Sequence, residues 1–106
     1  MSKYLDAFTD ALHARRKVKV VIKRKGKPTP LIATCAPLDH DVREGVLMFH
    51  FYKFAWKHHR AHIMSIEAEN LTKLELLDEV FDPADFIDWD VKQKPWVVAR
   101  DWGAYS

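Results

Sequence analysis

Residues 53–64 read "KFAWKHHRAHIM": three histidines, two lysines and an arginine set among apolar side chains. The pattern fits a metal site, a catalytic base or a charged surface for an anionic partner, and backbone conformation separates these readings. A helix would place His58 and His62 at i and i+4, the spacing of helical zinc ligands, but "HHRAH" lacks the glutamate of H-E-x-x-H. An extended chain would place His58, Arg60 and His62 on one face, with His59, Ala61 and Ile63 on the other. The extended reading is preferred. It predicts a cationic row beside the aromatic run at residues 46–56, "VLMFHFYKFAW".

Working outward, that run reads as a strand with Leu47, Phe49 and Phe51 on one face and Met48, His50 and Tyr52 on the other. "RAHIMSI" (60–66) predicts the next strand and "NLTKLELLD" (70–78) a further one, although Leu71, Leu74 and Leu77 also suit a short helix. Upstream, Val18, Val20 and Ile22 alternate with Lys17, Lys19 and Lys23, as in a strand with one wet face. Gly26, Pro28 and Pro30 mark a turn, and "PLIATCAP" (30–37) reads as the return strand, its prolines confined to the ends. "LDHDVREG" (38–45) reads as a polar loop. At the start, Tyr4, Leu5, Phe8, Ala11 and Leu12 form one helical stripe over residues 3–15, with Ser2 as N-cap and Arg15, Arg16 and Lys17 near the negative C-terminal end.

One helix and about five short strands predict a mainly β fold: a small, strongly bent SH3-like or Sm-like barrel, because closure removes exposed edges. Residues 1–86 are assigned to helix plus barrel. Residues 87–106 are assigned to an acidic, aromatic C-terminal extension packed on the same domain, since three of the four tryptophans lie there and need cover. At 106 residues and 48% hydrophobic composition, the chain is expected to fold alone as one domain. No apolar run nears the roughly 20 residues of a membrane span, and "MSKYLDAF" carries acid where a signal peptide needs apolar residues, so a cytoplasmic protein with no membrane partner is expected. The single cysteine, Cys35, excludes an internal disulfide.

The pieces taken in order resemble the WYL domain, a prokaryotic Sm-like barrel module of transcriptional regulators and phage-defence systems. The resemblance covers roughly residues 12–86 and rests on "ALHARRKVKVVIK", "TCAPLD", "GVLMFHF", "HRAHIMSIEAENLTKLEL" and "VFDPADF". The Trp-Tyr-Leu triplet that names the family would fall near "VLMFHF", and its arginine near Ala68 or Glu69, so those ligand-binding residues do not carry over. The chain also lacks the winged-helix segment that usually accompanies the module. The resemblance therefore implies a diverged, free-standing version.

The net charge of +2 conceals polarity: residues 1–62 hold 13 Lys/Arg against 5 Asp/Glu, and residues 63–106 hold 4 against 10. The densest segment, "RRKVKVVIKRKGK" (15–27), has eight basic residues in thirteen, with Lys19, Lys23, Arg24, Lys25 and Lys27 placed to track a phosphate backbone. Arg60 and His62 would add donors, and Tyr52 and Trp56 surfaces on which bases stack. The function expected is a non-enzymatic, regulatory or defence-related accessory that binds single-stranded nucleic acid or a nucleotide. The alternative is a protein-interaction module or homodimer using the aromatic strand and tail. No cofactor or metal is called for, the ion-binding possibility at Asp39, His40, Asp41 and Glu44 matching no standard loop. Cys35 reads as a buried, inert thiol, and no nucleophile with its base is evident in the order of residues. The tail aspartates Asp82, Asp85, Asp88 and Asp90 carry a further expectation, that the segment lies over the basic strand and masks it, against simple packing of its aromatics.

Overall fold

The first apolar stripe folds as α1, Leu5–Ala14, in the computed structural model, which describes residues 3–106. The Ser2 cap lies outside the described residues. Tyr4 occupies the N-cap position, and its hydroxyl donates to the Thr72 carbonyl at 2.7 Å. Arg15 ends the helix in the left-handed region (φ 54°), its N–H returning to the Ala11 and Leu12 carbonyls, so the chain can enter β1 at the next residue.

Five antiparallel strands follow: β1 Arg16–Ile22, β2 Leu31–Arg43, β3 Val46–Lys53, β4 His62–Glu67 and β5 Leu71–Val80, in the order β4-β3-β2-β1-β5. The outermost strands, β4 and β5, are joined by only a 3₁₀ turn, Ala68–Asn70. In a flat sheet, four strand spacings would hold them about 19 Å apart. Four residue steps at about 2 Å each reach less than half of that. The sheet must curl for this connection to be made, and it does so around the core.

Two elements correct the sequence reading. The supposed loop at residues 38–45 is strand: β2 runs through Pro37 to Arg43 and reverses at Glu44 (φ 51°) and Gly45 (φ 81°), a two-residue hairpin turn with both residues left-handed. Pro37 is tolerated inside the strand because β1 pairs with β2 only between Leu31 and Cys35, and the β3 register slips between Pro37 and Asp39. The second correction is to residues 53–64, which are neither helix nor continuous strand. β3 stops at Lys53 and β4 starts at His62; between them Trp56 and His59 exchange backbone hydrogen bonds (3.0 and 2.8 Å) around a tight turn with Lys57 at φ 52°. That reversal replaces the continuous extended run on which the row of His58, Arg60 and His62 is premised.

The helical look of Leu71 and Leu74 also has a cause. Ile22 pairs with Leu71 but Val21 with Lys73, so a bulge brings two leucines three residues apart onto one core face. The core joins Phe8, Ala11 and Leu12 of α1 to Val18, Val20, Cys35, Phe49 and Phe51 of the sheet, with Phe8 stacked on Phe49 at 4.7 Å. Each fully buried large side chain contributes roughly 1.5–3 kcal/mol.

The C-terminal segment completes this core. Trp102 is 2% exposed, its indole N–H donates to the Leu12 carbonyl at 2.9 Å, and its ring meets Phe81 and Trp96. Beyond Cys35 the β1-facing edge of β2 has no strand partner, and the tail docks there. The Asp39 carboxylate accepts the Val97 and Val98 N–H groups, both at 2.9 Å, and the Arg100 guanidinium donates to the Leu38 carbonyl. No helix among the described residues is long and apolar enough to cross a membrane.

Candidate functional site

The strand alternation of β1 turns Lys17, Lys19 and, just past its end, Lys23 away from the core, and β5 answers part of that charge. Arg16 reaches Asp78 at 3.5 Å, and Lys17 reaches Glu79 at 2.7 Å while lying 4.4 Å from the Phe54 ring centroid. Lys19 stands opposite Thr34 and Glu75 in the ladders. Past β1, a turn closed by the Lys27 N–H on the Arg24 carbonyl (3.2 Å) carries Gly26 at φ 74°, a backbone that glycine adopts without strain. Arg24 is spent within this loop, donating to the Thr29 carbonyl and hydroxyl. Lys23, Lys25 and Lys27 remain exposed, and among the described residues neither they nor Lys19, Lys53 and Arg60 form an ion pair.

Beside this surface lies a cleft of about 540 Å³, lined by Lys19, Thr34, Lys53, Phe54, Trp56 and His59, with Ile32 on its wall. Trp56 is 66% exposed and Ile32 59%, so the cleft presents bare apolar surface to solvent. The Trp56–His59 turn sets the indole there, and Lys57 adds a cation 5.6 Å from its ring centroid.

Lys53, missed by the sequence reading, is the unusual member. It ends β3 opposite Cys35 and His62, is 7% exposed, and has no carboxylate within ion-pair distance. No buried side-chain nitrogen among the described residues is left sealed without a partner, so its ammonium keeps contact with solvent. Its position at the end of an aromatic strand was the available signal. Cys35 beside it is a buried thiol that desolvation pushes up to about 12, against the pull of Lys53.

The other expected residues are placed apart. Tyr52 is half-buried, its ring stacked on Phe86 at 4.3 Å, so that face is already covered. Arg60 is exposed on the connection after the turn, and His62 opens β4 with its Nδ1 3.3 Å from the Arg60 carbonyl. Asp39 holds the tail, and Asp41 accepts from His50 (3.1 Å) and Arg43 (3.4 Å); among the described residues no group of three or more potential ligands is positioned for a metal. Asp82 and Asp90 cap local turns by accepting the Ala84 and Lys92 N–H groups. No tail aspartate forms an ion pair with the basic strand among the described residues.

One grouping corrects the expectation that no nucleophile meets a base. Across β2, β3 and β4, His50 lies 2.6 Å from the Ser65 hydroxyl and 3.1 Å from Asp41. The row has the connectivity of a Ser-His-Asp triad and is not among the residues that line the cleft; a triad acts where a substrate carbonyl can sit between nucleophile and oxyanion donors. Desolvation raises the Asp41 pKa, and the hydrogen bond and charge of His50 with the help of Arg43 outweigh it and hold the carboxyl below its ordinary range.

No family model and no curated protein sequence matches this chain. Its fold is similar to that of proteasome accessory factor B/C (PafBC) of Arthrobacter aurescens, with a TM-score of 0.64 at 15% identity. The match covers 74% of this chain and 12% of that one. The likeness is one of fold with a small part of that protein, and what the chain binds has to be argued from its own surface.

Proposed function

We propose that this chain is a non-enzymatic, WYL-like regulatory or defence-related accessory module that binds single-stranded nucleic acid through Lys19, Lys23, Lys25, Lys27 and Arg60, with Trp56 as a stacking surface. The carrying observation is that these cations have no anionic partner among the described residues, whereas Arg16 and Lys17, on the same strand as Lys19, do. Unpaired surface lysines release counterions from a phosphate backbone, and an exposed indole stacks on bases without reading their edges. Weak sequence preference and strong salt dependence follow. In an anisotropy titration with a labelled single strand, the Lys23→Glu, Lys25→Glu double variant is expected to lose at least tenfold in affinity while unfolding as cooperatively as the wild type. Equal affinity would remove the reading.

A second reading, self-association, is favoured by one observation: β4 is an outer strand whose Ile63 is 51% exposed. Mass that rises with concentration in the absence of nucleic acid would support it over the first.

A further inference from the structure

The nucleic-acid reading uses the exposed lysines, and it leaves Lys53 unexplained. Its side chain is 7% exposed, and its ammonium, although in contact with solvent, has no carboxylate within ion-pair distance among the described residues. Lys19 and His59 line the cleft with it, and Cys35 and His62 stand opposite it in the ladders; no carboxylate is among the residues that line the cleft. Glu75, opposite Lys19 on β5, is not within ion-pair distance of it. Two lysines, Lys19 and Lys53, thus line the same cleft as the bare apolar surface of Ile32 and Trp56.

Resting on the reading above, we infer that this cleft binds a nucleoside phosphate monoester, its phosphate held by Lys53 and Lys19 and its base laid against Trp56. Three features select this chemistry. A backbone tracking the surface would pass over Lys23, Lys25 and Lys27, whereas a side chain 7% exposed is reached only by a group that enters the cleft, such as a free mononucleotide or a strand's phosphorylated end. Two lysines match the charge of a monoester, about −1.5 to −2 at neutral pH, better than the single charge of an internal diester. The volume, about 540 Å³, falls within the roughly 300–1,000 Å³ of small-ligand sites, and the apolar wall gives a flat ring somewhere to lie. An acidic peptide would satisfy the lysines and leave the indole bare.

Calorimetric titration of the full chain tests this with AMP, adenosine, inorganic phosphate, a Glu-rich hexapeptide, and one oligonucleotide with and without a 5′-phosphate. AMP should bind at least tenfold more tightly than adenosine, phosphate or peptide, and the 5′-phosphate should strengthen oligonucleotide binding severalfold. Comparison of AMP with the phosphorylated strand shows which source of the monoester is preferred. Lys53→Met should weaken AMP at least tenfold without lowering the urea midpoint. Trp56→Ala, at an exposed position, repeats the test if the first variant fails to fold. AMP bound equally by wild type and both variants, or peptide bound as tightly as AMP, overturns the inference. Salt-dependent oligonucleotide binding that ignores the 5′-phosphate overturns it while leaving the broader reading intact, and AMP binding without oligonucleotide binding does the reverse.

Discussion

Arg100 and Lys53 both have side chains largely covered by the fold, and the surroundings of their charges differ completely. The Arg100 side chain is fully enclosed, donates to the Leu38 and Val98 carbonyls and to Asp39, and lies 3.9 and 4.4 Å from the ring centroids of Trp96 and Trp102. Burial lowers its pKa to about 10, against the pull of Asp39, so it stays charged at neutral pH. Lys53 has no such partners, only a cleft. The contrast separates two uses of a buried charge. One with each of its three nitrogens bonded clamps a segment in place, whereas one left open is available to something the chain does not supply.

Breaking the Arg100 side of the contrast should have the largest effects. Deleting residues 88–106 removes Trp102, Val91 and the whole clamp from the core, and is expected to abolish cooperative urea unfolding. This opposes the idea of a removable mask, for which a folded remnant would bind nucleic acid more tightly. Asp39→Ala, which leaves Arg100 buried and the Val97 and Val98 N–H groups without their acceptor, should cost about 3–5 kcal/mol in the same assay. At Lys53 the sign reverses. Lys53→Met removes an unpaired charge from a nearly buried site and should change stability by less than about 1 kcal/mol, towards greater stability.

The smallest effect lies at Asp41, whose pairs with His50 and Arg43 are near the surface. Asp41→Asn should cost about 0.2–1 kcal/mol. Because the folded state holds this carboxyl below its ordinary pKa, the contribution is complete above the unfolded value and fades as pH falls through the folded one. Unfolding curves of wild type and variant are therefore expected to converge in acid and to separate towards neutral pH.

Much of the fold was legible in the order of residues, because alternation at Val18, Val20 and Ile22 and the helical stripe through Phe8 and Leu12 are local signals of what each element buries. What was misread depended on partners distant in sequence. Pro37 was taken as a strand end because nothing local reveals that β1 stops pairing at Cys35. Leu71 and Leu74 resembled a helix because the bulge that aligns them is set by β1. Masking of the basic strand and simple packing of the tail's aromatics both stayed open, because sequence does not display Asp39 and Arg100 closing on each other across 61 positions. In the candidate site, charge density pointed to Lys19, Lys23 and Lys25, but nothing local announced the reversal at Lys57, and Lys53 becomes distinctive only once the residues that line its cleft are known to lack a carboxylate.

The claim on which the functional account depends is that the unpaired lysines meet phosphates. It is tested most directly by the affinity of the wild-type chain for a single-stranded oligonucleotide across a series of salt concentrations. With three to four phosphates neutralised, log K should fall against log salt with a slope of roughly −2 to −3. A slope near zero, or no binding at the lowest salt, would contradict it.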